Sequence, residues 1–566
     1  MKRELTIFAV LGIIYSAAWN EHLFSWTLTA EKQSHVYYHP KTASLVVKFH
    51  DFNEVLLAVS NTGQIGIDLF TGNGVGFWPA RTPNNYVFGT GLWLAAIYDA
   101  DDDGTKDTVF TQSYNPIDAG TDFREGRVDQ SPSDPLASVF SSTDPDDLQN
   151  WPPQFSNQAG DPIVCSGQDI VTTYTTIDAT PHYGMSMPLE VNQRSMAVST
   201  PDSLGQVIFF LFEIENVGEK KLEDAWIAFD SDMDIGSTFT DDRTSLMYER
   251  VTPEGDTVQL DLGFAWDNDF DEGVDWVGKV GFVGITMFLT PGNYDDGVDN
   301  DGDGLVDESP DNGLDDDGDG QTDEWDEVDQ MGFVHYTFHC NPSVCSGPGQ
   351  DPESDPEGYR MISCTPPDEC IETTDDTDIR FLMSSGPFDW YPGEKQRFAL
   401  ALVFADPVGD PSGIELVGDP PRPDPNDTVF TEFVEVTRLA REYFPLLLEC
   451  STTVGIEDNP NDTGSNAGIP KTFILKQNYP NPFNPETTIS FDIPGKAGER
   501  QRVGLGIYDL RGRHVKTLVD SELDPGTHRI VWDGRDKNGE IVPSGIYFYT
   551  LRCEDTTQAR KMSLIK

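Results

Sequence analysis

The sequence predicts an all-β, multidomain protein: a large β-sandwich body that carries an acidic insertion, followed by a smaller β-sandwich at the C-terminus. Three observations lead there. Short β-branched and aromatic runs bounded by Gly, Pro, Asn and Asp recur along the chain. A single segment shows convincing helical periodicity. The residues after 470 also differ in charge and turn content from those before them.

In the body, Val207 to Ile214, Ala225 to Phe229, Lys279 to Leu289 and Arg397 to Phe404 read as core strands of a sandwich. The helix spans Thr431 to Phe444, where Phe433, Val436, Ala440 and Tyr443 share one face. Glu432 and Glu435 lie toward its start and Arg438 and Arg441 toward its end, as the helix dipole favours, and Pro445 is expected to stop it. The body is assigned to residues 31–450, with 31–60 as a lead-in. Residues 451–470, apolar-poor and containing Asn459-Pro460-Asn461-Asp462-Thr463-Gly464, read as a linker.

The tail, 471–566, opens on three prolines within six residues. Pro480, Pro482 and Pro485 fix φ and remove donors, and Asn478, Asn481 and Asn484 supply side-chain turn bonds, so no strand starts before Thr488. Val503 to Tyr508, Arg529 to Trp532 and Ile546 to Leu551 then alternate with turn clusters at Asp509 to Gly512, Asp524 to Gly526, Lys537 to Gly539 and Pro543 to Gly545. About seven short strands at this spacing predict a small sandwich.

Together with Gly545-Ile546-Tyr547 and the ending Lys561 to Lys566, this run closely resembles the C-terminal sorting domain of cargo exported by the bacterial type IX secretion system. That domain is similar to the immunoglobulin-like (Ig-like) domain of flagellar hook-capping proteins. The resemblance covers about a sixth of the chain. It implies an Ig-like β-sandwich and export with outer-membrane secretion machinery as partner. It also implies sorting roles for Asn478, Pro480, Asn481, Pro482, Asn484, Pro485, Gly545, Tyr547, Lys561 and Lys566.

The other end of the chain agrees with export. Met1-Lys2-Arg3 is basic, Leu5 to Tyr15 is almost wholly apolar, and Ser16-Ala17-Ala18 offers small residues for cleavage, so 1–18 reads as a signal peptide. Eleven apolar residues are too few for a stable anchor, and no later segment approaches eighteen. The expected destination is the outer cell surface or the medium, reached through the periplasm, with membrane contact only during export or surface attachment.

The net charge of −60 bounds the partners. Of 37 Lys/Arg and 97 Asp/Glu, the tail holds 15 and 12, which leaves 22 and 85 in the body. A phosphate backbone would be repelled, so nucleic acid is not an expected partner, whereas divalent cations are attracted.

Calcium is the cation that the clearest motif calls for. Asp299, Asp301, Asp303 and Asp307, with a glycine at 304, recur sixteen residues later as Asp315, Asp317, Asp319 and Asp323, with a glycine at 320. Oxygens at loop positions 1, 3, 5 and 9 around a sharp turn at 6 wrap a hard cation, and the position 7 carbonyls of Leu305 and Gln321 add a ligand each. Between Tyr294 and Gln330 stand 17 acidic residues and no Lys or Arg, so the insertion 293–330 resists compaction unless cations bind. It resembles thrombospondin type 3 calcium repeats. Pro310 and Asp326 replace the bidentate glutamate of an EF-hand, which lowers the expected affinity toward Kd values of about 10⁻⁴ to 10⁻³ M. A shorter copy, Asp99, Asp101, Asp103 and Asp107 with Gly104, reads equally as a calcium loop and as a polar hairpin turn. Asp230-Ser231-Asp232-Met233-Asp234 lacks that glycine and reads as a solvated strand end.

Seven cysteines suit an oxidising compartment. Cys340, Cys345, Cys364 and Cys370 cluster in the Pro- and Gly-rich segment 340–370 as disulfide candidates, with three pairings open. Their spacing fits zinc poorly. The total is odd, so Cys165, Cys450 and Cys553 cannot all pair with one another.

No HExxH, GxSxG or phosphate-loop pattern is present. His335 and His339 share a strand face too far apart for one metal and read as core or surface residues. Trp78, Trp93, Trp226, Trp266, Trp276 and Trp390 are core residues before they are a sugar groove. The expected function is a non-enzymatic, calcium-stabilised surface or binding role toward a glycan or protein ligand. A secreted hydrolase of polysaccharide or protein and an extracellular assembly scaffold are the alternatives.

Overall fold

The computed structural model describes most of residues 45–564. Residues 1–44, 293–329, 341–349, 365–378, 453–473 and 476–486, with several shorter stretches, fall outside the described residues. The strand Val207–Asn216 shows how the body is built. Ile208, Phe210, Phe212 and Ile214 face one hydrophobic layer, while Val207 and Phe209 face another, so its N-terminal half is buried on both sides. A sheet covered on both faces explains why the sequence there runs apolar without alternating.

That strand lies inside a large antiparallel sheet. From one edge the order is Asp242–Val251, Thr257–Asp267, Phe282–Leu289, Lys395–Ala405, Val207–Asn216, Leu189–Ala197, Gln168–Thr175 and Arg124–Glu125. Facing it is a five-stranded antiparallel sheet of His335–Cys340, Ile379–Trp390, Leu222–Asp232, Gly89–Tyr98 and Asp107–Gln112. Leu92, Leu94, Ile227, Phe229, Phe381 and Met383 from the smaller sheet meet Phe210, Phe212, Phe398 and Leu400 from the larger to form the core between them. The four body runs expected to be strands all lie wholly or largely in these sheets.

Each outer face carries a helix. Thr431–Thr452 covers the large sheet through Phe433, Val436, Ala440, Phe444, Leu447 and Leu448. Asp355–Ser363 covers the smaller sheet, where Ile362 packs with Trp93, Ala95, Phe110, Trp226 and Leu382, and Gly358 lies so close to Phe110 that an added Cβ would stand 2.3 Å from its ring.

The long helix corrects one expectation, because Pro445 does not end it. An internal proline costs about 3 kcal/mol. Burying Leu447 and Leu448 returns roughly 1.5–3 kcal/mol each, and Cys450 bonds the next turn to Cys165. The helix therefore runs on to Thr452.

The C-terminal sandwich pairs a sheet of Ile474–Leu475, Thr487–Ile493 and Gly526–Trp532 with one of His514–Leu523, Gln501–Asp509, Gly545–Cys553 and Thr556–Leu564. Ile474–Leu475 corrects the expectation that no strand starts before Thr488: it precedes the prolines, keeps its backbone donors and pairs with Phe491 and Asp492. Ile489, Phe491, Val503, Leu505, Trp532, Tyr549, Leu551 and Met562 are buried between them. The protein is thus all-β in class, with antiparallel sandwiches throughout.

Candidate functional site

Among the described residues, the hairpin between Gly89–Tyr98 and Asp107–Gln112 holds an acidic cluster placed for a cation. One carboxylate oxygen each from Asp99, Asp101 and Asp107 lies within 4.8 Å of the other two. The loop reaches this shape because Asp102 (φ 63°) and Gly104 (φ 87°) adopt the left-handed region. Its amides turn inward: Gly104 donates to Asp99 Oδ2 at 3.2 Å, Asp103 to Asp101 Oδ1 at 3.1 Å, and Ala100 to Asp107 Oδ2 at 3.0 Å. Asp103 bonds the Thr105 hydroxyl and amide instead, which holds its carboxyl below the usual range. Asp99 Oδ1 is enclosed and accepts no hydrogen bond among the described residues.

Lys220 reaches the same loop, donating to the Asp99 carbonyl and to Asp102, with Nζ 3.8 Å from Asp99 Oδ2. The segment is therefore a hairpin in which three carboxylates converge. Asp103 is the predicted ligand that lies outside the three-oxygen cluster. Oxygen donors of this kind suit calcium.

A second polar cluster is buried beneath the helix Asp355–Ser363, and there the structure overturns an expectation. Asp230 and Asp232 are not a solvated strand end, because both are buried. They continue the face of Leu222–Asp232 that begins with Trp226 and Ala228, and the covering segment encloses that face. His339 Nε2 lies 2.6 Å from Asp230 Oδ1, and its Nδ1 lies 2.6 Å from Asp351 Oδ1. Arg380, directly opposite His339 in the sheet, stands 3.1 Å from Asp232 Oδ2 and 3.3 Å from Asp351 Oδ2. The Tyr114 hydroxyl donates to Asp232 Oδ2 at 2.9 Å.

Burial alone would lower the His339 pKa, but the two carboxylates outweigh it and raise the imidazole to about 9. Burial pushes Asp230 up. It would do the same to Asp351, but His339 and Arg380 hold that carboxyl below its ordinary value. The cluster is a locked charge network with no exposed member, suited to fixing the covering segment on the sheet rather than to meeting a substrate. The sequence signal for it was present: acids at i and i+2 on the face that carries Trp226.

The acidic insertion leaves and re-enters the body at one neck. Gly292 and Gln330 form an antiparallel bridge. Thr290 N donates to Gln330 Oε1 at 3.1 Å, and Gln396 bonds both the amide and the carbonyl of Gly292, at 2.9 and 3.0 Å. The proposed ligands Asp299, Asp301, Asp303, Leu305, Asp307, Asp315, Asp317, Asp319, Gln321 and Asp323 lie outside the described residues.

Cys340 and Cys364 are disulfide-bonded, whereas Cys345 and Cys370 fall outside the described residues. A further bridge, Cys165 to Cys450, joins positions 285 apart, a separation that sequence spacing does not reveal. Cys553 is a buried thiol, 2.9 Å from Gln501 Oε1. Trp78, Trp93, Trp226, Trp266 and Trp390 are buried and Trp276 is packed against the core, as expected.

Of the sorting residues, Gly545 opens its strand at φ 154°, and Tyr547 packs edge-on to Trp532 while donating to the Pro543 carbonyl at 2.8 Å. Lys561 lies in the last strand. Asn478, Pro480, Asn481, Pro482, Asn484, Pro485 and Lys566 are outside the described residues.

Residues 481–558 match the FlgD Ig-like domain family. Over 139 residues the chain is 26% identical to the basal-body rod modification protein FlgD of Salmonella typhimurium, and the same holds for that of Salmonella typhi. The match covers 23% of this chain and 57% of each relative's length. The C-terminal module is therefore a FlgD-type Ig-like domain. Among solved structures, a polysaccharide lyase is similar over 93% of this chain and 47% of its own (TM-score 0.22, 7% identity). Dimeric latent PorU from Porphyromonas gingivalis is similar over 92% and 34% (TM-score 0.16, 8% identity). At those scores neither likeness bears on activity.

Proposed function

We propose that this is a secreted or outer-surface binding or structural protein, stabilised by calcium and exported through its C-terminal domain. The observation that carries the reading is the FlgD-type Ig-like domain at 481–558, preceded by the Asn- and Pro-rich lead-in and followed by the lysine-ended terminus. The basic, then apolar, start of the chain supports passage through the periplasm. The disulfides support residence in an oxidising compartment.

Calcium enters the proposal at the two repeats of 299–323 and, secondarily, at the Asp99 loop. The acidic body would repel a phosphate backbone, which supports partners other than nucleic acid. Five of the six tryptophans that could line a sugar groove are enclosed in the core, so their role in this reading is packing. The partners in this reading are the outer-membrane secretion machinery during export, then a surface glycan or protein.

Fusing residues 471–566 to a periplasmic reporter tests the export step. In a type IX-competent host the fusion reaches the cell surface or medium. A fusion that stays in the periplasm contradicts the reading.

A further inference from the structure

The point where the chain leaves the body toward its C-terminal domain is covalently fixed. Cys450 lies two residues before the end of the helix Thr431–Thr452 and is bonded to Cys165. The receiving side is itself held. Asp169, fully buried, accepts from the amides of Cys165 and Ser166 at 2.9 Å each, from the Ser166 hydroxyl at 2.5 Å and from Arg194 Nη1 at 2.6 Å. Arg194 Nη1 also donates to the Ile163 carbonyl at 2.9 Å. Its guanidinium stands 5.5 Å from the Phe155 ring. The next residues, Gln168–Thr175, are a strand of the large sheet.

The helix is attached differently. Its grip on the sheet is apolar contact together with Arg441, which donates to the carbonyls of Leu260 and Met287. A helix pulled from its C-terminus loads its hydrogen bonds one after another, and each is weak on its own. Tension entering at Thr452 would therefore peel the helix turn by turn and uncover Phe209, Leu262 and Phe282 beneath it. The disulfide short-circuits that path, because tension passes from Cys450 to Cys165 before it reaches the rest of the helix.

We propose that the Cys165–Cys450 bond is a force clamp that carries tension from the C-terminal domain directly to the large sheet and spares the helix Thr431–Thr452. The proposal rests on the reading that the protein is handled or held through its C-terminal domain. On that basis the clamp keeps the body folded while the tail is under load, during export or after attachment.

Single-molecule pulling on purified full-length protein tests it, with handles at the C-terminus and at exposed Asp146. Oxidised protein should unfold its Ig-like domain and then hold its length until the body yields. Cys450→Ser should instead shed the 22 helical residues first, a gain of roughly 40 Å net of the helix's own length. Wild-type molecules pulled before and after a pulse of reductant, which also opens the bonds at Cys340 and Cys364, supply a second reading of whether the helix is shed first, without relying on a variant to fold. If Cys450→Ser and reduced molecules keep the helix until the body gives way, packing alone bears the load and the clamp is overturned. Reactive thiols at Cys165 and Cys450 in protein recovered from cells would overturn it as well. The measurement is made on isolated protein, so it fails separately from the export reading, which fractionation decides.

Discussion

His339 and Asp230 meet across 2.6 Å with both side chains fully buried, and they join the edge strand His335–Cys340 to the central strand Leu222–Asp232 beyond the intervening Ile379–Trp390. The same imidazole holds Asp351 on the covering segment, so one ring ties together two strands and their cap. Removing one partner of a buried ion pair leaves an uncompensated charge, which typically costs 3–5 kcal/mol. His339→Phe should therefore destabilise the body by about that amount in urea unfolding and expose the Asp355–Ser363 helix to protease. A loss below about 1 kcal/mol would show that the network is neutral to stability.

Two buried histidines give the stability profile opposite limbs. His339 is raised from 6.5 to about 9, so its contribution is complete below pH 6.5 and lost as pH climbs through about 9. His50, bonded to Ser195 Oγ at 2.7 Å, is lowered by burial to about 3, so its contribution is present above pH 6.5 and lost as pH falls toward about 3. Urea midpoints measured from pH 4 to 10 should show His339→Phe flattening the alkaline limb only and His50→Gln flattening the acid limb only. Parallel profiles for parent and variants would contradict both assignments.

At the Asp99 loop, Lys220 competes with any cation for the Asp99 and Asp102 oxygens. Lys220→Met should raise calcium affinity there roughly ten-fold, because a unit charge near 4 Å from a divalent cation costs on the order of 2 kcal/mol in water before salt screening. Asp101→Asn should lower it. Calorimetry on protein whose 299–323 repeats carry Asp301→Ala and Asp317→Ala isolates this site, and no heat in any variant would make the loop a hairpin turn alone.

The repeats themselves give a separate expectation. Millimolar calcium over a Kd of about 10⁻⁴ M stabilises the bound form by on the order of 1.4 kcal/mol per site. Chelation should then render residues 294–330 the first segment cut by protease while the sandwich strands stay protected, and Asp301→Ala with Asp317→Ala should reproduce that cutting in calcium. Equal cleavage of loaded and chelated protein would leave the repeat as a solvated acidic loop.

Local patterns in the sequence revealed much of this architecture, and long-range placement did not. Val207 to Ile214 was legible as a strand because its apolar run is bounded by turn residues, and Phe433, Val436 and Ala440 revealed their helix by spacing alone. Pro445 misled because the local rule ignores what Leu447, Leu448 and Cys450 gain further on. Asp230 and Asp232 misled for a related reason: their counter-charges, His339 and Arg380, lie more than 100 residues away. Cys165 and Cys450 were both counted, yet their pairing depends on the helix lying across the large sheet, which no spacing encodes.

On the proposed reading the C-terminal domain directs the protein out of the cell, and the location of a truncated chain decides it. Protein lacking 471–566 should fold, retain its disulfides and collect in the periplasm, whereas the full chain should reach the surface or the medium. Truncated protein found by fractionation at the cell surface in the same proportion as the full chain would contradict the account.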